Sequence, residues 1–167
     1  TRFGISWQIM GGQDIKFGEE SILMGRKFCN KIWNATRFIL QQISKSKIKY
    51  RGSRINLKSI NLTTTDKKIL KVSDETIKLV NTDLEKFRFG RAAHKLYNFF
   101  WHDFCDKYIE ESKRQLQNSK LKLQTLKILV YILLNSLKLL NPFMPFLTEK
   151  IYQKLPLKGK KKCLLVE

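Results

Sequence analysis

The fold of this chain is decided first by residues 19–44, which read EESILMGRKFCNKIWNATRFILQQIS. Apolar side chains recur there in steps of four, three and four residues, at Phe28, Ile32, Ala35 and Ile39. These steps keep the four side chains on one face of an α-helix. The stretch therefore predicts an amphipathic helix that packs one side and leaves the other side open to solvent.

The open side of this helix carries cations and amides but no carboxylate of its own. It collects Arg26, Lys27, Asn30, Lys31, Asn34 and Arg37. Basic side chains bind phosphates, and an amide both donates and accepts at base edges, so this mixture suits an RNA loop. A merely solvated face is the alternative, because most charged stripes are solvated. Tyr50 and Arg51, in the polar connector that follows, would extend the RNA-binding surface.

Three more stretches predict helices that pack against this one. A helix begins near Asp66, and residues 92–109 carry so many aromatic side chains around the helix that it must lie between neighbours. Residues 123–140 are apolar almost all round, which is typical of the central helix of a bundle. With few turn residues and no strand pattern, the sequence predicts an all-α helix bundle.

Glycine and proline mark the expected breaks between these helices. Gly11 and Gly12 end the first short helix, and Gly90 marks a joint before the aromatic helix. Residues 45–64 form a polar connector with a short strand-like or helical piece around 55–62. The run 141–145, NPFMP, ends the central helix, and its second proline opens one more short helix.

Charge narrows the range of partners. The 167 residues contain 33 Lys and Arg against 14 Asp and Glu, a net charge of +19. Such a surface attracts nucleic acid or an anionic membrane. Lys127 and Lys138 interrupt the most apolar run, so we predict a core helix and no membrane contact. The chain begins at Thr1 without a secretory leader, and we expect it to be a piece of a longer polypeptide.

Catalytic and metal chemistry find little support in the residues. His102, Cys105 and Asp106 lie within one helical turn, but zinc needs a fuller set of ligands than this cluster supplies. A thiol nucleophile at Cys105, with His102 or His94 as base, lacks an orienting partner. A glycine-rich phosphate loop is absent from the sequence. We therefore predict no catalytic, cofactor-binding or metal-binding residue in this chain.

Four runs of the sequence, in order, resemble the valyl-tRNA synthetase family of class I synthetases. They are residues 12–15, GQDI; residues 26–38, RKFCNKIWNATRF; residues 87–106, which include FFWHDFCD; and residues 141–149, NPFMPFLTE. The resemblance implies an all-α, anticodon-binding type of bundle over residues 21–156. It also implies that residues 1–20 are the end of the stem-contact region with a link, and that residues 157–167 form a basic tail, which we expect to be mobile.

The same resemblance implies a function and its partners. The chain would bind the anticodon stem-loop of valine-specific tRNA for a parent valine–tRNA ligase that is cytoplasmic and monomeric. The parent would use ATP and Mg²⁺ in a catalytic domain in cis, whose His-Ile-Gly-His and Lys-Met-Ser-Lys-Ser motifs are absent here. The alternatives are the equivalent domain of an isoleucine enzyme, a generic basic helical module that binds RNA or acidic lipid, and a thiol or zinc enzyme.

Overall fold

A computed structural model describes residues 1–9, 18–46, 50–51 and 62–166 of the chain. The helices in these ranges are α1 (Arg2–Gln8), α2 (Glu19–Ser46), α3 (Thr64–Glu85), α4 (Phe89–Asn98), α5 (Glu110–Gln117), α6 (Ser119–Leu140) and α7 (Pro145–Lys154). A π-helical segment, Phe99–Ile109, joins α4 to α5, so residues 89–117 form one continuous helix. The predicted all-α bundle is confirmed.

Two very short strands were not predicted. β1 (Tyr50–Arg51) pairs in parallel with β2 (Leu157–Lys158), with Tyr50 opposite Leu157. The pairing ties the connector after α2 to the segment after α7. The predicted helix stop at Gly11 and Gly12 lies outside the described residues. The predicted piece around 55–62 also lies outside them, except for Leu62.

Helix α6 forms the centre of the bundle. Its inward side chains, from Leu126 to Leu140, are almost completely buried, and 67% of its most apolar window lies inside the protein. Burying one such side chain contributes about 1.5–3 kcal/mol, so this single helix supplies much of the hydrophobic stabilisation. By length and composition it could also cross a membrane, but its apolar surface is used by the core. The prediction of a central core helix is confirmed.

Asp66 is a buried carboxylate that connects three elements. Thr63 Oγ1 accepts a hydrogen bond from the Asp66 N–H, and Asp66 Oδ2 accepts one from the Thr63 N–H, which together cap the amino end of α3. Tyr108 Oη donates to Asp66 Oδ1 over 2.8 Å, and Gln124 Nε2 donates to Asp66 Oδ2 over 2.9 Å. Asp66 is fully buried, so these donors take the place of water. Burial, with Asp66 alongside, raises the pKa of Tyr108.

Helix α1 is held against α2 and α4 by aromatic contacts and by two close backbone approaches. Phe3 is buried, and its ring centroid lies 4.9 Å from that of Phe28. Trp7 stacks on His94 with ring centroids 3.5 Å apart. A Cβ at Gly4 would lie 2.5 Å from the carbonyl oxygen of Ser21, and one at Gly90 would overlap the carbonyl oxygen of Ile9. Small residues at these two positions let α1 reach the bundle.

The joint between α3 and α4 lies earlier than predicted. Helix α3 ends at Glu85 and α4 begins at Phe89, so the chain turns over residues 86–88 and Gly90 is already helical. Gly90 is required for its contact with Ile9, and the turn is made by Phe87 at φ +54°. The predicted break at residues 141–145 is confirmed, because α6 ends at Leu140 and α7 opens on a proline in its first turn.

Part of the basic tail, which we expected to be mobile, is packed against the bundle. Leu157 and Leu164 are both buried, and the backbone N–H of Leu164 donates to Glu149 Oε2 over 2.9 Å. The carbonyl of Lys162 also accepts a hydrogen bond from Gln153 of α7. Leu157 and Leu164 hold this lysine-rich segment on the core, and Lys160 Nζ donates to the carbonyl of Gln153 over 2.7 Å.

Candidate nucleic-acid interface

Five of the six predicted binding residues form one exposed strip on α2. Phe28, Ile32 and Ile39 are fully buried, and the helix turns its opposite side to solvent. With about 100° between successive residues, the exposed residues span roughly 100° of the helix surface. They are Arg26, Arg37, Asn30, Asn34 and Lys27, in order around the helix. We refer to these five residues as the α2 strip.

The α2 strip is not neutralised within the described part of the chain. Arg26, Lys27 and Arg37 form no ion pair with any residue described, and neither Asn30 nor Asn34 is bonded to one. Their charges and amides are therefore available to a ligand. The side chains of Tyr50 and Arg51, predicted to extend this surface, lie outside the part that the structure describes.

Lys31 differs from the other five predicted residues because it is paired with an acidic side chain. Lys31 Nζ lies 2.7 Å from Asp106 Oδ1 of the π-helical segment and 5.1 Å from the centroid of Trp101. The hydrogen bond from Lys31 holds the pKa of Asp106 below its usual range. The Asp106 carboxylate also lies 3.4 Å from Nδ1 of His102. Lys31 therefore serves the packing of α2 on its neighbour.

A groove adjoins the amino-terminal half of the α2 strip. It has a volume of about 580 Å³ and lies between α1, α2 and the start of α7. Arg2, Arg26 and Asn30 line it together with Phe146, whose side chain is 86% exposed. Sequence reasoning missed Arg2 and Phe146 at this site because only tertiary packing brings their helices next to α2.

Aromatic and cationic side chains also meet along the borders of the strip. Lys113 Nζ lies 6.0 Å from the ring centroid of Phe38, the residue after Arg37, and Lys154 Nζ lies 5.6 Å from that of Trp33. Such pairs place positive charge over a ring. Lys154 of α7 therefore adds a cation beside the strip, whereas Lys113 of α5 is also paired with Glu110 over 2.7 Å.

His94, His102 and Cys105 of the aromatic helix make structural contacts. Burial raises the pKa of Cys105 to about 12, so its thiol stays protonated at neutral pH. His102 faces Asp106, and His94 stacks on Trp7. Among the described residues, no three His, Cys, Asp or Glu side chains are grouped to hold a metal ion.

The sequence also matches a family model, and the match falls on the helices that follow α2 in the chain. Residues 66–167 match the model described as the anticodon-binding domain of tRNA ligase. The chain belongs to this family. The matched range holds α3 to α7. The anticodon-binding family therefore accounts for most of the bundle.

Curated relatives extend the similarity beyond that range. The chain is 45% identical to a valine–tRNA ligase of Thermotoga maritima over 159 residues, 42% to one of Bacillus cereus over 164 residues, and 39% to one of Petrotoga mobilis over 166 residues. These similarities cover 95%, 95% and 99% of the chain but only 17%, 18% and 18% of the relatives. The uncovered remainder of the chain is too short to contain α2, so the α2 strip lies largely within the similarity.

Proposed function

We propose that this chain binds the anticodon stem-loop of a valine-specific tRNA and positions that tRNA for aminoacylation. The α2 strip carries this proposal, since it offers three cations and two amides that are bonded to no described residue, on the surface of an anticodon-binding bundle. The cations would bind phosphates and fix the register of the RNA, and the amides of Asn30 and Asn34 would reach base edges.

The same proposal extends to the longer protein of which such a domain is a part. That protein would be a valine–tRNA ligase that acts as a cytoplasmic monomer, with its catalytic domain in cis, and uses ATP and Mg²⁺ there. We expect neither ATP nor Mg²⁺ to bind to this chain itself. The residues before α2 would be the end of the stem-contact region with a link, which is consistent with the docking of α1 on α2.

The relatives favour valine over isoleucine as the amino acid. Each of the three relatives described above is a valine–tRNA ligase. The free amides of the α2 strip favour an anticodon-reading domain over a generic basic module, because a module that binds any polyanion needs only charge. A tRNA transcript with a valine anticodon should therefore bind more tightly than the same transcript with an isoleucine anticodon.

Replacing Arg37 by glutamine should weaken binding to any tRNA and reduce its salt dependence. Removing one phosphate contact makes the plot of log K against log salt shallower by about 0.7–0.9, because fewer counterions are released on binding. The measurement is a titration of tRNA binding between low and physiological salt. We expect the cognate and non-cognate transcripts to lose affinity equally.

Lys78→Gln is the matched control for Arg37→Gln. It removes the same unit of charge from an exposed position on α3 and should leave the slope unchanged. An equal change of slope in both variants would mean that net charge alone drives binding, and an unchanged slope for Arg37→Gln would remove Arg37 from the interface.

Replacing Asn34 by alanine should weaken binding of the valine-anticodon transcript more than binding of the isoleucine-anticodon transcript. A bidentate amide contact to a base contributes about 1–3 kcal/mol of discrimination, whereas a phosphate contact contributes none. Binding of the valine-anticodon and isoleucine-anticodon transcripts should differ about tenfold less in the variant than in the parent chain. Asn81→Ala, which removes an amide from an exposed position on α3, is the control. Equal loss for both transcripts would show that Asn34 reads no base.

A further inference from the structure

Phe87 and Phe89 form an exposed aromatic pair at the turn between α3 and α4. Phe87 is 78% exposed and Phe89 is 39% exposed, and their ring centroids lie 6.1 Å apart at an angle of 78°. Neither ring belongs to the hydrophobic core or to the partly buried side chains packed against it. The pair lies outside the α2 strip and outside the groove beside it.

The backbone at Phe87 has a conformation that favours glycine. The N–H of Arg88 donates to the carbonyl of Asp83 over 2.7 Å, and the N–H of Phe87 donates to that of Leu84 over 3.0 Å. These two bonds form the Schellman motif, in which the residue after the helix cap is left-handed and usually glycine. Phe87 occupies this position at φ +54°. A bulky side chain is uncommon there. Burial does not offset the strain at Phe87, because its side chain is 78% exposed.

Basic residues flank the two phenylalanines in sequence. Residues 85–91 read EKFRFGR, so Lys86 and Arg88 alternate with the two phenylalanines, a third basic residue follows Gly90, and a single exposed carboxylate precedes them. Lys86, Arg88 and Arg91 are exposed and form no ion pair with any described residue. Asp83, the nearest other acid in sequence, is buried and pairs with Lys95. The local surface is therefore both aromatic and positively charged.

We propose that Phe87 and Phe89 are a platform on which an unpaired base of the bound RNA stacks, while Lys86, Arg88 and Arg91 hold the adjoining phosphates. Aromatic rings flanked by cations bind single-stranded nucleic acid in this way, because every base has a face that can stack. An anionic partner fits the charge of the turn, and a base uses the rings that packing leaves exposed. The inference rests on the proposed function, since it adds a second contact to the same RNA.

The platform lies far from the carboxyl-terminal end of the α2 strip. Phe28 of α2 packs on Tyr97 of the continuous helix 89–117. Lys31, further along α2, reaches Trp101, further along that helix, so the two helices run in the same direction. Phe89 precedes Tyr97 by eight residues and Arg37 follows Phe28 by nine. At a rise of about 1.5 Å per residue, the platform and Arg37 are separated by roughly 25 Å along the bundle. A single RNA that contacts both must be extended, as a tRNA arm is.

Phe87→Gly tests the platform without disturbing the fold. Glycine suits the left-handed position, so thermal unfolding should occur at the same or a higher temperature. Loss of a stacked base should lower affinity for a valine-anticodon tRNA transcript by roughly tenfold. Phe87→Tyr keeps an aromatic ring and should bind within about twofold of the parent chain. Leu79→Ala, which removes an exposed apolar side chain from α3, should change neither property.

The outcomes separate this inference from the proposed function. If Arg37→Gln weakens binding while Phe87→Gly binds like the parent chain, the platform is wrong and the α2 strip stands. If Phe87→Gly loses both stability and affinity, Phe87 supports the fold and the platform is also wrong. If the chain without any substitution binds tRNA no better than it binds heparin, both proposals are overturned. Weaker binding with unchanged stability, rescued by tyrosine, supports the platform.

Discussion

Replacing Asp66 by alanine is expected to lower the free energy of unfolding by about 3–4 kcal/mol, the largest single effect that we predict. Loss of the helix cap contributes about 1 kcal/mol of this. The remainder arises because Tyr108 Oη and Gln124 Nε2 lose their acceptor in or near the core, and a buried donor left unpaired costs about 1–3 kcal/mol. Urea unfolding followed by helical circular dichroism measures the change.

Asp74→Ala is the matched control for Asp66→Ala. Asp74 lies on the same helix but is exposed, and no described residue bonds to it. Its removal should change the free energy of unfolding by less than about 0.5 kcal/mol. If Asp66→Ala costs only about 1 kcal/mol, as removal of a cap alone would, the buried hydrogen bonds to Tyr108 and Gln124 do not stabilise the fold as described.

Replacing Gly90 by alanine is expected to lower the free energy of unfolding by about 2 kcal/mol and to loosen α1. The new Cβ would overlap the carbonyl oxygen of Ile9 and lie 2.7 Å from its carbonyl carbon. Backbone atoms cannot rotate away, so the overpacking cost falls near the upper end of about 1–3 kcal/mol. Better helix propensity returns about 1 kcal/mol of it.

Trp7 offers a direct signal for this displacement. It stacks on His94, one helical turn beyond Gly90, and a shifted α1 would part the two rings. Tryptophan fluorescence of the folded variant should therefore change together with its stability. Gly18→Ala is the control, because no atom of the described residues lies within 4 Å of a Cβ at that position. Unchanged fluorescence and stability in Gly90→Ala would mean that α1 adjusts at no cost.

The ion pair of Lys31 with Asp106 shows where the pattern of a single helix stops being informative. On α2, Lys31 lies about 140° around the helix from Arg26, towards the buried side at Ala35 near 180°. This angle could have marked Lys31 as a boundary residue, but it could not identify the partner. Asp106 is 75 residues away in sequence, and only the packing of α2 on the π-helical segment brings its carboxylate to the lysine.

The sequence by itself determined the helices, the central place of α6 and the exposed side of α2. These properties follow from the spacing of apolar residues and from proline, which act within one or two helical turns. Tertiary structure alone decided that Lys31 is paired, that Asp66 joins three elements and that Phe146 borders the α2 strip. Charges and hydrogen bonds depend on distances between segments remote in sequence, and only the packed chain sets those distances.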